Sequence, residues 1–114
     1  MKRTESRRSI RMGDMIHREL AEMLLEEIQD PRLEMVTISG VRLNKDLRFA
    51  EVLFTMSGDE AKIAAAKKAL ESARGYLRSG LGKRMKQKFV PDLRFTHDTF
   101  LEDMIYAKPD SENM

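Results

Sequence analysis

The chain has no cysteine, no tryptophan and only three prolines among its 114 residues. Without cysteine it can form neither a disulfide framework nor a thiolate metal site. Its longest run of apolar residues is four, far below the roughly 20 that a membrane-spanning helix needs. The basic N-terminus is not followed by an apolar stretch and so does not resemble a secretory signal. We therefore expect a cytoplasmic protein that needs no metal and no cofactor.

Aromatic residues are also scarce, at 6% of the chain, whereas 35% of the residues are charged. The charges nearly cancel overall, at +2, but they are separated along the chain. Residues 1–18 and 61–89 carry +4 and +8, and residues 19–34 and 90–114 carry −5 and −4. This separation predicts a cationic surface for a polyanion. The shortage of aromatics predicts that the surface binds the shape and backbone of a nucleic acid more than its base identity.

Apolar residues at three- and four-residue spacing from Ile10 onward predict a long first helix. Thr4 and Ser6 are its candidate N-caps. The helix should stop at Asp30-Pro31, because a residue before proline avoids the helical conformation.

Alternating apolar residues in 35–56 predict a β-hairpin, and a slip in the alternation next to Gly40 indicates a bulge. Ser57 and Glu60 have the spacing of a capping box, so a second helix should follow directly. A last short strand is predicted at residues 93–96.

The helical pattern of residues 61–85 is interrupted at Ala73-Arg74-Gly75. Glycine inside a helix costs about 1 kcal/mol relative to alanine, so we predict two helices joined by a kink. The order is α-β-β-α-α-β, in one α+β domain at residues 1–98 with an acidic tail at 99–114. The stretch from Arg74 to Lys88 contains six lysines or arginines and no acid, which favours a phosphate backbone as the partner.

Catalysis has weak support in the sequence. His17 and His97 are candidates for acid–base chemistry, but neither has a nucleophile or a paired carboxylate at informative spacing, so we do not expect an enzyme. Residues 80–83 resemble a phosphate-binding loop only superficially, because the spacing is wrong and no strand precedes them. Two alternatives stay open. One is a helix-turn-helix DNA-binding protein built on the kinked helices, and the other is a small hydrolase that uses either histidine.

Several stretches occur in a characteristic order: Arg7–Leu20, Asp30–Leu33, Val36–Val41, Asp46–Val52, the Ala73-Arg74-Gly75 kink, and Pro91–Phe95 with Asp98. Together they resemble the bacterial ribosome-binding factor A family over about residues 5–105. In that family an Ala-x-Gly kink replaces the Gly-x-x-Gly loop of KH domains. The resemblance implies a single KH-like domain of type II order, with a three-stranded sheet and the helices on one face.

The resemblance also implies a non-enzymatic assembly factor. Such proteins bind free small (30S) ribosomal subunits and their 16S rRNA, assist late maturation, including processing of the 5′ region of the 16S precursor, and are linked with growth in the cold. We expect a monomer away from the ribosome, with no membrane and no small-molecule substrate as partner.

We expect the RNA-binding surface to combine the kink, the basic segment and an N-terminal arm. Its predicted residues are Arg3, Arg7, Arg8, Arg11, Ala73, Arg74, Gly75, Arg78, Lys83, Arg84, Lys86 and Lys88. We also expect Arg78→Glu combined with Arg84→Glu to weaken subunit binding strongly without unfolding the domain.

Overall fold

A computed structural model describes residues 6–100, so Arg3 and all but the first two residues of the predicted tail lie outside the described residues. The elements are α1 (Arg7–Glu26), β1 (Thr37–Leu43), β2 (Phe49–Thr55), α2 (Glu60–Ser72), α3 (Arg74–Met85) and β3 (Asp92–His97). A 3-10 turn at Pro31–Leu33 connects α1 to β1. The predicted order and the α+β class are confirmed. Across residues 6–100, no helix combines the length and apolarity that crossing a membrane requires.

The strand β2 lies in the middle of the sheet, antiparallel to β1 and parallel to β3. Parallel pairing needs a long crossover connection, which α2 and α3 provide. The register between β1 and β2 shifts between Ile38 and Gly40, so the predicted bulge is confirmed. Alternate residues of β2, namely Ala50, Val52 and Phe54, are fully buried and form the centre of the core.

The helix α1 begins at one of its two predicted caps. The Ser6 hydroxyl accepts a hydrogen bond from the Ser9 amide at 3.0 Å, and the Ser9 hydroxyl accepts one from the Ser6 amide. The apolar stripe starts later than predicted, because Ile10 is 49% exposed and the first large buried side chain is Ile16.

The helix α1 also packs closely against the backbone of β1. A Cβ added at Gly13 would lie 2.9 Å from the Val41 carbonyl oxygen, so only glycine lets the helix come this close. One turn further on, Nε2 of His17 lies 2.9 Å from the Ile38 carbonyl oxygen and is hydrogen-bonded to it. These contacts fix the position of the N-terminal half of α1 on the sheet.

The predicted capping box before α2 is wrong. The N-cap is Asp59, whose carboxylate accepts from the Lys62 amide at 2.9 Å, and the helix begins at Glu60. The chain turns at Gly58, whose φ of +148° is outside the range that other residues readily adopt. This turn leaves Ser57 outside the helix, and aspartate is as good an N-cap as serine.

Candidate nucleic-acid interface

The kink predicted at Ala73-Arg74-Gly75, which we call the elbow, is present. Ala73 closes α2 and opens α3 with φ −87° and ψ 0°. Its amide donates to the Ala69 carbonyl, and its own carbonyl accepts from the Leu77 amide at 2.9 Å. Ala73 is therefore the single residue between the two helices, and Gly75 lies within the first turn of α3.

No packing contact within the described chain requires glycine at position 75. The residue is exposed, and a Cβ built there would meet no atom within 4 Å. Glycine inside a helix is destabilising, so its presence at an open surface needs another reason. Close approach of a ligand to the helix backbone is such a reason.

Two of the predicted RNA-binding arginines bind α3 to β3 and to the segment that leads into it. Arg78 donates from Nη2 to the Val90 carbonyl oxygen at 2.8 Å and from Nε to that of Pro91 at 3.2 Å. Arg74 donates from Nη1 to the Leu93 carbonyl oxygen at 3.3 Å. Both guanidinium groups therefore use part of their donor capacity inside the domain.

Arg84 is more fully engaged, and its partners come from α1 and the residue that follows it. It donates to Glu19 at 2.9 Å, to Glu22 at 2.5 Å and to Glu27 at 2.5 Å, and lies 4.0 Å from Glu26. Its side chain is only 22% exposed. We call Arg84 and these four glutamates the glutamate cluster. It binds α3 to the acidic half of α1.

The glutamate cluster also shifts the titration of its members. The hydrogen bond from Arg84, with a second from Tyr76 at 2.7 Å, lowers the pKa of Glu27. The hydrogen bonds to Glu27, Glu19 and Glu22 raise the pKa of Arg84, and the bond to Glu27 raises the pKa of Tyr76. These three side chains are therefore held in their usual charge states at neutral pH.

The three lysines of the basic segment behave differently. Lys83, Lys86 and Lys88 are exposed, and none of their ammonium groups has a hydrogen bond or ion pair with another described residue. Lys83 and Lys88 line an open concavity of about 550 Å³ that also contains Gly75 and Arg78. We call this the lysine concavity, and it joins the elbow to the loop after α3.

A second concavity, of about 480 Å³, continues this surface toward the start of α1. Arg8, Lys45, Lys88 and Phe89 line it, and the Phe89 side chain is 55% exposed. Arg7 and Arg11 are exposed on the neighbouring turns of α1. Arg8 is thus the described cation of the N-terminal arm that shares a concavity with the end of the basic segment.

Sequence reasoning missed Lys45 as a site residue, because it lies in the β1–β2 turn and only the fold brings it beside Arg8 and Lys88. The internal contacts of Arg78 and Arg84 argue against our expectation that reversing both charges leaves the domain folded. Whether any of the predicted residues binds RNA stays a prediction.

The two alternative functions find little support in the geometry. A helix-turn-helix motif joins its helices by a turn of about three or four residues, whereas here Ala73 alone separates α2 from α3. His17 is hydrogen-bonded to a backbone carbonyl, and the His97 ring packs against Phe54 with centroids 5.4 Å apart. Within residues 6–100, no three or more His, Asp or Glu side chains are grouped so as to hold a metal ion.

Comparisons with known proteins give a consistent result. The family model of ribosome-binding factor A matches residues 8–108. Ribosome-binding factor A of Thioalkalivibrio sulfidiphilus is 47% identical over 91 residues, which cover 80% of this chain and 70% of the relative.

Two solved structures show the same fold. The crystal structure of ribosome-binding factor A from Thermus thermophilus has a TM-score of 0.69 at 29% identity, covering 78% of this chain and 94% of that one. A homology model of the Thermus thermophilus factor, fitted into a cryo-electron-microscopy map of its complex with 30S, has a TM-score of 0.68 at 28% identity and covers 80% of this chain and 96% of that one.

Proposed function

The chain belongs to the ribosome-binding factor A family, and from this premise we propose that it binds the small ribosomal subunit through 16S rRNA. The contact surface runs from the elbow across the lysine concavity to Arg8 and its neighbours. Binding assists late maturation of the subunit, including processing of the 5′ region of the 16S precursor. The protein acts in the cytoplasm, as a monomer when off the ribosome, and by binding rather than catalysis.

The observation that carries this proposal is that Lys83 and Lys88 lie in one concavity with Gly75 and have no hydrogen bond or ion pair with another described residue. Lysines without an internal partner add their full charge to the field that a phosphate backbone meets. An exposed glycine in the same concavity lets that backbone approach the start of α3. The relative's complex with 30S supports the choice of ribosomal RNA as the polyanion.

Assistance by binding requires that the protein prefer one RNA conformation over another. A ligand shifts an equilibrium only by its difference in affinity for the two states. A tenfold bias corresponds to about 1.4 kcal/mol, which one or two additional phosphate contacts can supply. A cationic surface on a folded domain achieves this when one conformation of the RNA places more phosphates beside the lysines than the other does.

The test is co-sedimentation of the purified protein with immature small subunits. We expect Lys83→Glu combined with Lys88→Glu to weaken binding by about a hundredfold. Each substitution removes an attraction and adds a repulsion, which together cost roughly 1.4 kcal/mol of binding free energy for each residue. The salt dependence should also become shallower, because the log–log slope falls by roughly 0.7–0.9 for each phosphate that the variant no longer neutralises.

The matched control is Lys67→Glu combined with Lys68→Glu, on the exposed side of α2 and outside the lysine concavity. It changes the net charge equally and should weaken binding far less. Equal weakening by the two variants would mean that only net charge matters, and unchanged binding by the first variant would remove the lysine concavity from the interface.

A further inference from the structure

The acidic half of α1 borders a second surface, which the RNA-binding proposal leaves unused. The end of α1, the 3-10 turn at Pro31–Leu33 and the start of β1 enclose a groove of about 610 Å³. Polar and apolar groups share its walls, and among the apolar ones Leu24, Ile28 and Val36 are half-buried. Leu25 at its edge is 84% exposed, and Met35 beside it is 60% exposed.

Contiguous exposed apolar area marks interaction sites, and Leu25 and Met35 both expose apolar side chains at this one groove. Leu25 gains nothing for the fold in this position, because almost none of its area is removed from water. The apolar contact that its side chain offers is therefore available to a partner.

The charges around the groove are negative. Glu34 lines it, and its carboxylate has no partner among the described residues. Asp30 also lines it and is paired with Arg32 through two bonds of 3.0 and 2.7 Å, so this pair adds no net charge of either sign. In the same half of α1, the four carboxylates of the glutamate cluster face the single positive charge of Arg84. We call this surface the acidic groove.

The acidic groove is unsuited to RNA, because phosphates would meet carboxylates there. It suits a polypeptide that carries both cationic and apolar side chains. Proteins that pack against ribosomal RNA are themselves cationic, since they neutralise phosphates. On a small subunit, a protein segment of this composition is the available partner that matches both features of the groove.

We propose that the acidic groove docks a cationic segment with apolar side chains from a protein of the small ribosomal subunit. This inference rests on the proposed function, because the subunit supplies the partner. Arg11 and Leu25 are 14 positions apart on α1, roughly 21 Å at 1.5 Å per residue. One helix therefore presents its basic end to RNA and its acidic end to protein, which fixes the orientation of the factor on the subunit.

The test uses the full chain with the photoreactive residue p-benzoylphenylalanine in place of Leu25, bound to purified immature small subunits. Co-sedimentation is measured first, and the bound fraction is then irradiated and its cross-links identified by mass spectrometry. We expect a cross-link to a lysine- and arginine-rich protein segment with apolar residues. The same photoreactive residue in place of Ala64, exposed on α2, should not give it.

A charge variant checks that the groove selects its partner. Adding Glu34→Lys should lower the cross-link yield from position 25 about fivefold or more, whereas Glu71→Lys on α2 should leave it unchanged. Cross-links from position 25 to RNA, to a second copy of this chain or to nothing would overturn the inference while sedimentation upholds the proposed function. If the chain failed to sediment with small subunits, both would be overturned.

Discussion

The arginines and the lysines of the basic segment differ in what they do within the domain. Between Arg74 and Lys88, all three arginines donate hydrogen bonds to other parts of the domain, and all three lysine ammonium groups have no such partner in the described chain. A guanidinium group is a planar fork that can join several acceptors at once, whereas an ammonium group is a flexible point charge. The charge of a segment is therefore not the charge that it offers to a ligand.

The strongest way to test this division is to remove one cation of each kind at adjacent positions. We expect Arg84→Gln to lower the midpoint of thermal unfolding clearly, because four glutamates would face one another without their shared countercharge. Lys83→Gln is the matched control and should leave the midpoint nearly unchanged, since surface substitutions without contacts are usually neutral. Similar midpoints for the two variants would break the distinction.

The pH dependence sharpens the same test. Arg84 lowers the pKa of Glu27 from its usual 4.5, so this carboxylate stabilises the fold above about pH 4.5 and ceases to do so as the pH falls through its lowered folded-state pKa. The difference in stability between the parent protein and Arg84→Gln should therefore be full at pH 7 and shrink below about pH 4. A difference that stayed constant down to pH 3 would show that Arg84 acts through packing rather than charge.

The sequence predicted the architecture well, because periodicity and breaks are local properties. Each local pattern predicted one feature: the alternation in residues 35–56 a hairpin, its slip at Gly40 a bulge, and the interruption at Ala73 a break between two helices. Three details failed, one of them the end of α1, which lies at Glu26 and not at the predicted Asp30-Pro31. The other two failed for local reasons. Serine and aspartate are nearly equal N-caps, so Ser57 and Asp59 could not be separated without the turn at Gly58. The apolar spacing of α1 could not reveal that Ile10, at the start of the stripe, is 49% exposed.

The site was predicted less completely, because pairing of charges is a tertiary property. Arg84 lies more than 55 residues from each carboxylate that it binds, and no spacing rule connects such positions. Lys45 joins the concavity of Arg8 and Lys88 only because the hairpin turn lies beside the start of α1. The sequence located the cations, and the fold divided them into those that hold the domain together and those that face solvent.

At Gly75 the question is whether the interface needs open space beside the helix backbone in addition to positive charge. We expect Gly75→Ala to raise the free energy of unfolding by about 0.5–1 kcal/mol, because alanine is the better helix former and its Cβ meets no atom. The same change should weaken subunit binding about tenfold if RNA approaches the backbone there, a decrease of about 1.4 kcal/mol in binding free energy. Urea unfolding and co-sedimentation measure the two effects.

Gly13→Ala is the matched control for that substitution. Its Cβ would lie 2.9 Å from the Val41 carbonyl oxygen, so we expect a decrease in stability, by about 1–3 kcal/mol as for an overpacked core. A Gly75→Ala variant that binds subunits as tightly as the parent would mean that glycine at the elbow does not serve the interface.

The smallest effect is expected at Lys86, where the backbone is left-handed with φ 55° and ψ 46°. Glycine is the preferred residue in this conformation at a helix end, so Lys86→Gly should raise the free energy of unfolding by about 1 kcal/mol. Lys83→Gly, within α3, should lower it by about as much. Each variant removes one exposed lysine of the basic segment, so both should weaken subunit binding by a similar factor of a few. If the two variants change stability in opposite directions but weaken binding equally, these lysines serve the interface and not the fold. If binding instead weakens only in the variant that loses stability, the effect on binding comes from the fold.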